Sequence, residues 1–89
     1  MPSLIYTEGF TDDMAQVALA SKRQEIFRYT DLLSELPELG SRNLPESIVR
    51  IYGGSVRRLA AKPFLVIYEY REDEDAAYIL GLDHQKAAW

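Results

Sequence analysis

The chain has no cysteine, so no disulfide framework, thiolate metal site or cysteine nucleophile is open to it, and that composition suits a reducing cytoplasm. It has a single histidine, and its carboxylates are scattered rather than spaced for ligation, so neither a metal nor a cofactor is expected. No uninterrupted apolar stretch is longer than Phe64–Tyr68, far short of the roughly 20 residues a membrane-spanning helix needs. The N-terminus lacks a basic flank followed by an apolar run, so no targeting segment is read there. These absences predict a soluble cytoplasmic protein without membrane association.

What is present is 89 residues, read as a single domain over 1–89 with no length left for a regulatory unit. A domain of this size buries only about 60 to 65 % of the surface its unfolded chain exposes, which predicts marginal stability and a need for a partner. The net charge of −4 argues against a general nucleic-acid binder, whose affinity comes largely from neutralising phosphates. The charge is unevenly spread. Residues 1–40 and 72–89 are acidic, whereas 41–71 carry Arg42, Arg50, Arg57, Arg58, Lys62 and Arg71 against only Glu46 and Glu69. A basic middle between acidic ends is a candidate anion-binding face, or simply the charged outer positions of alternating strands.

Leu4 to Thr7 reads as an opening strand. Thr11-Asp12-Asp13 has the cap and early acids of a helix start, with Phe10, Met14, Val17 and Ala18 as its buried stripe. Ser21-Lys22-Arg23-Gln24 matches a capping box, which predicts a second helix whose face carries Ile26, Tyr29, Leu33 and Leu36, ended by Pro37 and Gly40. Beyond residue 46 the period changes. Ile48–Tyr52 and Ser55–Ala60 flank Gly53-Gly54, which reads as a tight turn between strands, with a short helical turn over 48–52 as the other option. Phe64–Tyr70 has the composition of a central strand, Arg71–Asp75 of a solvated turn, and Ala76–Leu82 of the next strand. The simplest assembly is α+β: a β-α-α-β-β-β order, with both helices on one face of a small antiparallel sheet.

Four motifs in this order carry a family likeness. Pro37-Glu38-Leu39-Gly40 ends the helical part, Val56-Arg57-Arg58-Leu59 bears a double arginine, Pro63-Phe64-Leu65-Val66-Ile67-Tyr68 ends an apolar strand in tyrosine, and Leu82-Asp83-His84-Gln85-Lys86 runs into the lone histidine. Together they resemble the RelE/ParE family of bacterial toxins, and the likeness covers nearly the whole chain. It implies the fold just described and a type II toxin, linked to growth inhibition and plasmid stabilisation, with a cognate antitoxin as partner and a homodimer left open.

In ribosome-dependent ribonucleases of that family, the 2′-hydroxyl attacks the adjacent phosphate, which requires cations over the phosphorane and a general acid or base in reach. The resemblance assigns the phosphate to Arg57 or Arg58, the leaving oxygen to His84 or Lys86, and a base to Glu46. Two groups usual in those ribonucleases are replaced, by Phe64 where an arginine is expected and by Gln85 where a tyrosine is. That version looks more like the ParE branch, whose described members poison DNA gyrase. The expectation is therefore a gyrase inhibitor ahead of a ribosome-dependent mRNA endoribonuclease, with a non-toxic, antitoxin-binding relative as the third reading. Plainer roles stand beside these. A strand puts Arg57 and Arg58 on opposite faces, a histidine at a strand end is commonly a hydrogen-bonding residue, Tyr68, Tyr70 and Tyr78 suit packing, and Trp89 frays unless it docks.

Overall fold

The computed structural model describes residues 1–84, so the expectations for Gln85, Lys86 and Trp89 fall outside the described residues. Element order is β1 (Ser3–Tyr6), α1 (Glu8–Met14), α2 (Ala20–Asp31) followed by a single 3-10 turn, α3 (Glu46–Tyr52), β2 (Arg57–Ala61), β3 (Phe64–Arg71) and β4 (Ala76–His84). The four strands form one sheet in the order β1-β4-β3-β2. The α+β class holds. The sheet is mixed rather than wholly antiparallel, because β1 runs parallel to β4, with Ser3 opposite Ala76 and Tyr6 opposite Ile79. The helices carry the chain from β1 across to the far edge. Two hairpins then bring it back one strand at a time, so β4 arrives beside β1 pointing the same way.

The β3–β4 hairpin is the centre of the sheet. Its acidic turn closes with Asp75 at φ 49, a left-handed conformation that aspartate tolerates better than most residues. The ladder slips by one residue between Ile67, opposite Gly81, and Tyr68, opposite Ile79. Leu80 is the extra residue of this bulge.

Helix starts differ from the sequence expectation for identifiable reasons. α1 is capped by Thr7, whose hydroxyl accepts from Phe10 N–H at 3.4 Å, while the Thr11 hydroxyl donates to Thr7 O at 3.1 Å inside the helix. The Thr7 hydroxyl also donates to Ile79 O at 2.8 Å, which ties the helix start to β4. The capping box at Ser21 does not form. α2 begins at Ala20 with no side-chain cap, and the Arg23 guanidinium instead folds back to donate to the Val17 and Ala18 carbonyls of the preceding turn.

Residues 46–52 form a helix, not a strand. Pro45 starts it, with its carbonyl accepting from Ile48 N–H at 3.0 Å. Gly53, at φ 91 and ψ 173, stops it. The two faces of the sheet then carry separate cores. α1 and α2 bury Phe10, Met14, Val17, Ile26 and Leu33 against Val66, Tyr68, Ile79 and Leu82. α3 covers the other face, burying Ile48 with Val56, Leu65 and Ile67. Helices therefore lie on both faces, where two on one face were expected. Ala18 and Leu36 are exposed, because α1 ends at Met14 and α2 ends at Asp31, short of the stripes drawn through them.

The backbone of Gly53 lies in a region essentially restricted to glycine, where a side chain costs on the order of 1–3 kcal/mol. Gly53→Ala should lower the urea midpoint by a corresponding amount. Gly54→Ala, where an added methyl meets nothing within 4 Å, should leave it nearly unchanged.

Candidate functional site

The double arginine lies on β2, where Arg57 stands opposite Tyr68 and Arg58 opposite Ile67. Since Tyr68 belongs to the α1–α2 core and Ile67 to the α3 core, the two guanidinium groups leave on opposite faces of the sheet. Both turn back onto the same loop. Arg57 Nη1 donates to Gly40 O at 2.9 Å and to Glu38 O at 3.3 Å. Arg58 Nε donates to Asn43 O at 2.7 Å, and the Arg58 backbone exchanges bonds of 2.9 and 2.8 Å with Ser41.

Beneath that loop sits Tyr68, fully buried. Its hydroxyl donates to Pro37 O at 2.9 Å and accepts from Gly40 N–H at 2.7 Å. Burial pushes the phenol up, while the Gly40 bond and the Arg57 charge pull it back down. A methyl on Gly40 would stand 2.7 Å from the Arg58 carbonyl and from the Tyr68 ring and hydroxyl. Pro37-Glu38-Leu39-Gly40, Arg57 and the tyrosine ending the apolar run are thus one structural knot.

His84 lies at the exposed end of β4 opposite Phe64, with the two rings edge-on at 5.6 Å. By ladder position it is two strands and three or four residues from the arginines, on the order of 15 Å away. Glu46, at the start of α3, accepts from Arg50 Nη2 at 2.8 Å, and both side chains are about three-quarters exposed. The arrangement therefore does not gather Arg57, Arg58, His84 and Glu46 around one point, and Lys86 lies outside the described residues. Among the described residues no cluster of three or more His, Asp or Glu could hold a metal ion.

The acidic turn is exposed, as its sequence suggests, but some of its charges are paired. Arg71 stacks over the Tyr78 ring at 4.3 Å and pairs with Glu69 and Glu74 at 3.3 and 3.4 Å. Tyr78 donates to Glu74, which holds that carboxyl below its usual range.

Sequence reasoning did not single out the polar group on the α3 side. The Tyr52 ring lies over Gly81, its hydroxyl 2.2 Å from where a Gly81 side chain would begin. A glycine inside an apolar strand was the available signal, since it marks a close approach. Burial, then the charges of Asp83 and Asp13, push the Tyr52 phenol up to about 12. Burial and then Asp13 push the Asp83 carboxyl up. Asp13 itself accepts from Leu82 N–H at 2.9 Å, holding α1 to the edge of β4 that β1 does not reach.

The architecture defined here is a small α+β sheet with an α-helical pair on one face and a single short helix on the other. Two solved structures share it. The chain is similar to one in the intact RelBE toxin-antitoxin complex of E. coli, at 10% identity over 94% of this chain and 96% of that one with a TM-score of 0.69. It is also similar to one in the toxin-antitoxin complex RelBE2 of Mycobacterium tuberculosis, at 16% identity over 94% and 99% with a TM-score of 0.74. No family model and no curated protein matches the chain. The α+β class and the N-terminal helices packed on the sheet are as the RelE/ParE resemblance implied, whereas the parallel β1 and the helix α3 on the second face are not.

Two stability predictions follow from this geometry. Tyr68→Phe leaves Gly40 N–H and Pro37 C=O without their buried partner and should cost about 1–3 kcal/mol by denaturant unfolding. Gly40→Ala should also destabilise, and the double variant should lose less than the sum, because both changes break one contact. For Asp83 the folded carboxyl titrates above its unfolded value. Its contribution is thus fully present below the unfolded value and lost as pH rises through the folded one. Asp83→Asn should accordingly raise the melting temperature at pH 7 and bring no gain at a pH below the carboxylate range.

Proposed function

We infer that the chain is the toxin component of a type II toxin-antitoxin pair, neutralised by a cognate antitoxin. The observation that carries this is the fold likeness over 94% of the chain to chains of two toxin-antitoxin complexes, joined to four sequence motifs in the family's order. Within that class, an inhibitor that binds a protein target, DNA gyrase in the ParE manner, is favoured. The cations and acid-base candidates are dispersed over two faces, Arg57 is engaged by backbone carbonyls, and Phe64 stands where the ribonucleases carry an arginine. The mRNA endoribonuclease remains the second reading, supported by the RelBE complexes being the similar structures and by the exposure of His84 at a strand end. The third is a member that binds its antitoxin without toxicity.

Induction of the chain without its neighbour in a bacterial host, with growth and labelled amino-acid incorporation followed together, separates these. The expected outcome is arrest with incorporation persisting while cells filament. An early collapse of incorporation would instead establish the ribonuclease. Unimpeded growth with folded protein present would leave the antitoxin-binding relative.

A further inference from the structure

The second helix and the turns after it carry an apolar stripe that none of the described residues covers. Leu32, Leu36 and Leu39 are 42%, 54% and 44% exposed. Glu25 and Tyr29 lie on one side of α2 by helical spacing, and Leu32, Leu36 and Leu39 continue from them through the 3-10 turn and the turns beyond the helix end at Asp31. Leu36 N–H donates to Leu32 O at 2.8 Å and Leu39 N–H to Leu36 O at 3.1 Å, which keeps those turns wound close against the end of the helix. Two shallow grooves mark its course, one lined by Glu25, Arg28, Tyr29 and Leu32 and the next by residues 35–39.

A row of carboxylates runs beside the leucines. Asp31, Glu35 and Glu38 repeat the same spacing one residue earlier, and none of them forms an ion pair among the described residues. Arg28 is the only cation between Glu25 and Leu39. Unneutralised acids beside exposed leucines disfavour stacking of this stripe on its own copy, since a two-fold contact would face carboxylate with carboxylate. They favour the opposite pattern.

We propose that the Leu32–Leu36–Leu39 stripe docks a cationic amphipathic segment of a partner protein, with leucine-like side chains at three- and four-residue spacing seated along the stripe and lysines or arginines placed over Asp31, Glu35 and Glu38. That the partner is the neutralising antitoxin rests on the toxin reading above; the surface and the chemistry it selects do not.

The test uses the full chain and a fluorescein-labelled synthetic peptide with leucines at every third and fourth position and lysines between them. Its counterpart carries glutamates in place of the lysines. Anisotropy should show the lysine peptide binding at least about tenfold more tightly than the glutamate peptide, weakening as salt is raised. Leu36→Asp should weaken it by about tenfold or more, and the double change Glu35→Lys with Glu38→Lys should reverse the preference, while circular dichroism shows each variant folded. Equal binding of both peptides, or no loss in folded Leu36→Asp, would overturn the proposal. So would a dimer, seen by sedimentation, that Leu36→Asp turns into a monomer, because the occupant would then be a second copy. Co-expression separates the two readings. A toxic Leu36→Asp chain that the antitoxin no longer rescues supports both, whereas a harmless native chain ends the toxin reading and leaves the peptide result to decide the surface.

Discussion

A buried phenol holds this small protein together at a crowded point between loop and sheet. The Tyr68 hydroxyl is both donor and acceptor, to Pro37 O and from Gly40 N–H, so the loop after the α2 turns is fastened directly to the central strand. Once that loop is fixed, Ser41 can add a bridge to the edge of β2, Arg57 and Arg58 find carbonyls for their guanidinium groups, and the chain is led around the sheet edge to place α3 on the far face. Without the phenol, the buried Gly40 N–H would lose its partner and the half-buried Pro37 C=O its tie to the sheet, a cost that falls chiefly on the buried donor. The loop, the edge strand and the second core form one dependent unit.

That dependence alters what the family motifs mean. Pro37 and Gly40, Arg57 and Tyr68 lie far apart in sequence and meet in a single cluster whose members satisfy one another. In this chain those residues therefore serve the fold, whatever else they do. The exposed end of β4 and the acid-edged leucines after α2 are surfaces that the knot does not use. Charge is divided by element, with an acidic α1 and the basic pair Arg57 and Arg58 on the edge strand β2.

Much of the fold was legible before any coordinates. The hairpin of Phe64–Tyr70 and Ala76–Leu82 could be read because β-forming apolar runs flanking an acidic turn have few alternatives. Phe10, Met14, Val17, Ile26 and Leu33 were legible as core by spacing. The parallel placement of β1 was not, since four residues carry no orientation signal and the pairing is decided by how the helices return the chain. Ile48–Tyr52 has strand-like residues but became a helix because Pro45 and Gly53 bracket it and Ile48 fills the open face beside Leu65 and Ile67. The capping box at Ser21 does not form; instead Arg23 reaches back from within α2 to donate to the Val17 and Ala18 carbonyls of the turn before it. At the site, the opposite facing of Arg57 and Arg58 followed from strand geometry alone. Their attachment to backbone carbonyls did not, and neither did Tyr52 over Gly81, which needs the bulge at Leu80 to bring them together.

The parallel edge strand has a bearing on biosynthesis. β1 is made well before β4, yet β4 is its hydrogen-bonding partner, with Ser3 waiting for Ala76. The Thr7 cap of α1 and the Asp13 clasp on Leu82 wait for the same strand. Contacts of such long sequence separation form late and slowly, so a nascent chain holds helices without the sheet edge that fixes their start. Any surface that needs β1 seated beside β4 is therefore completed only once both strands of that pair have been made.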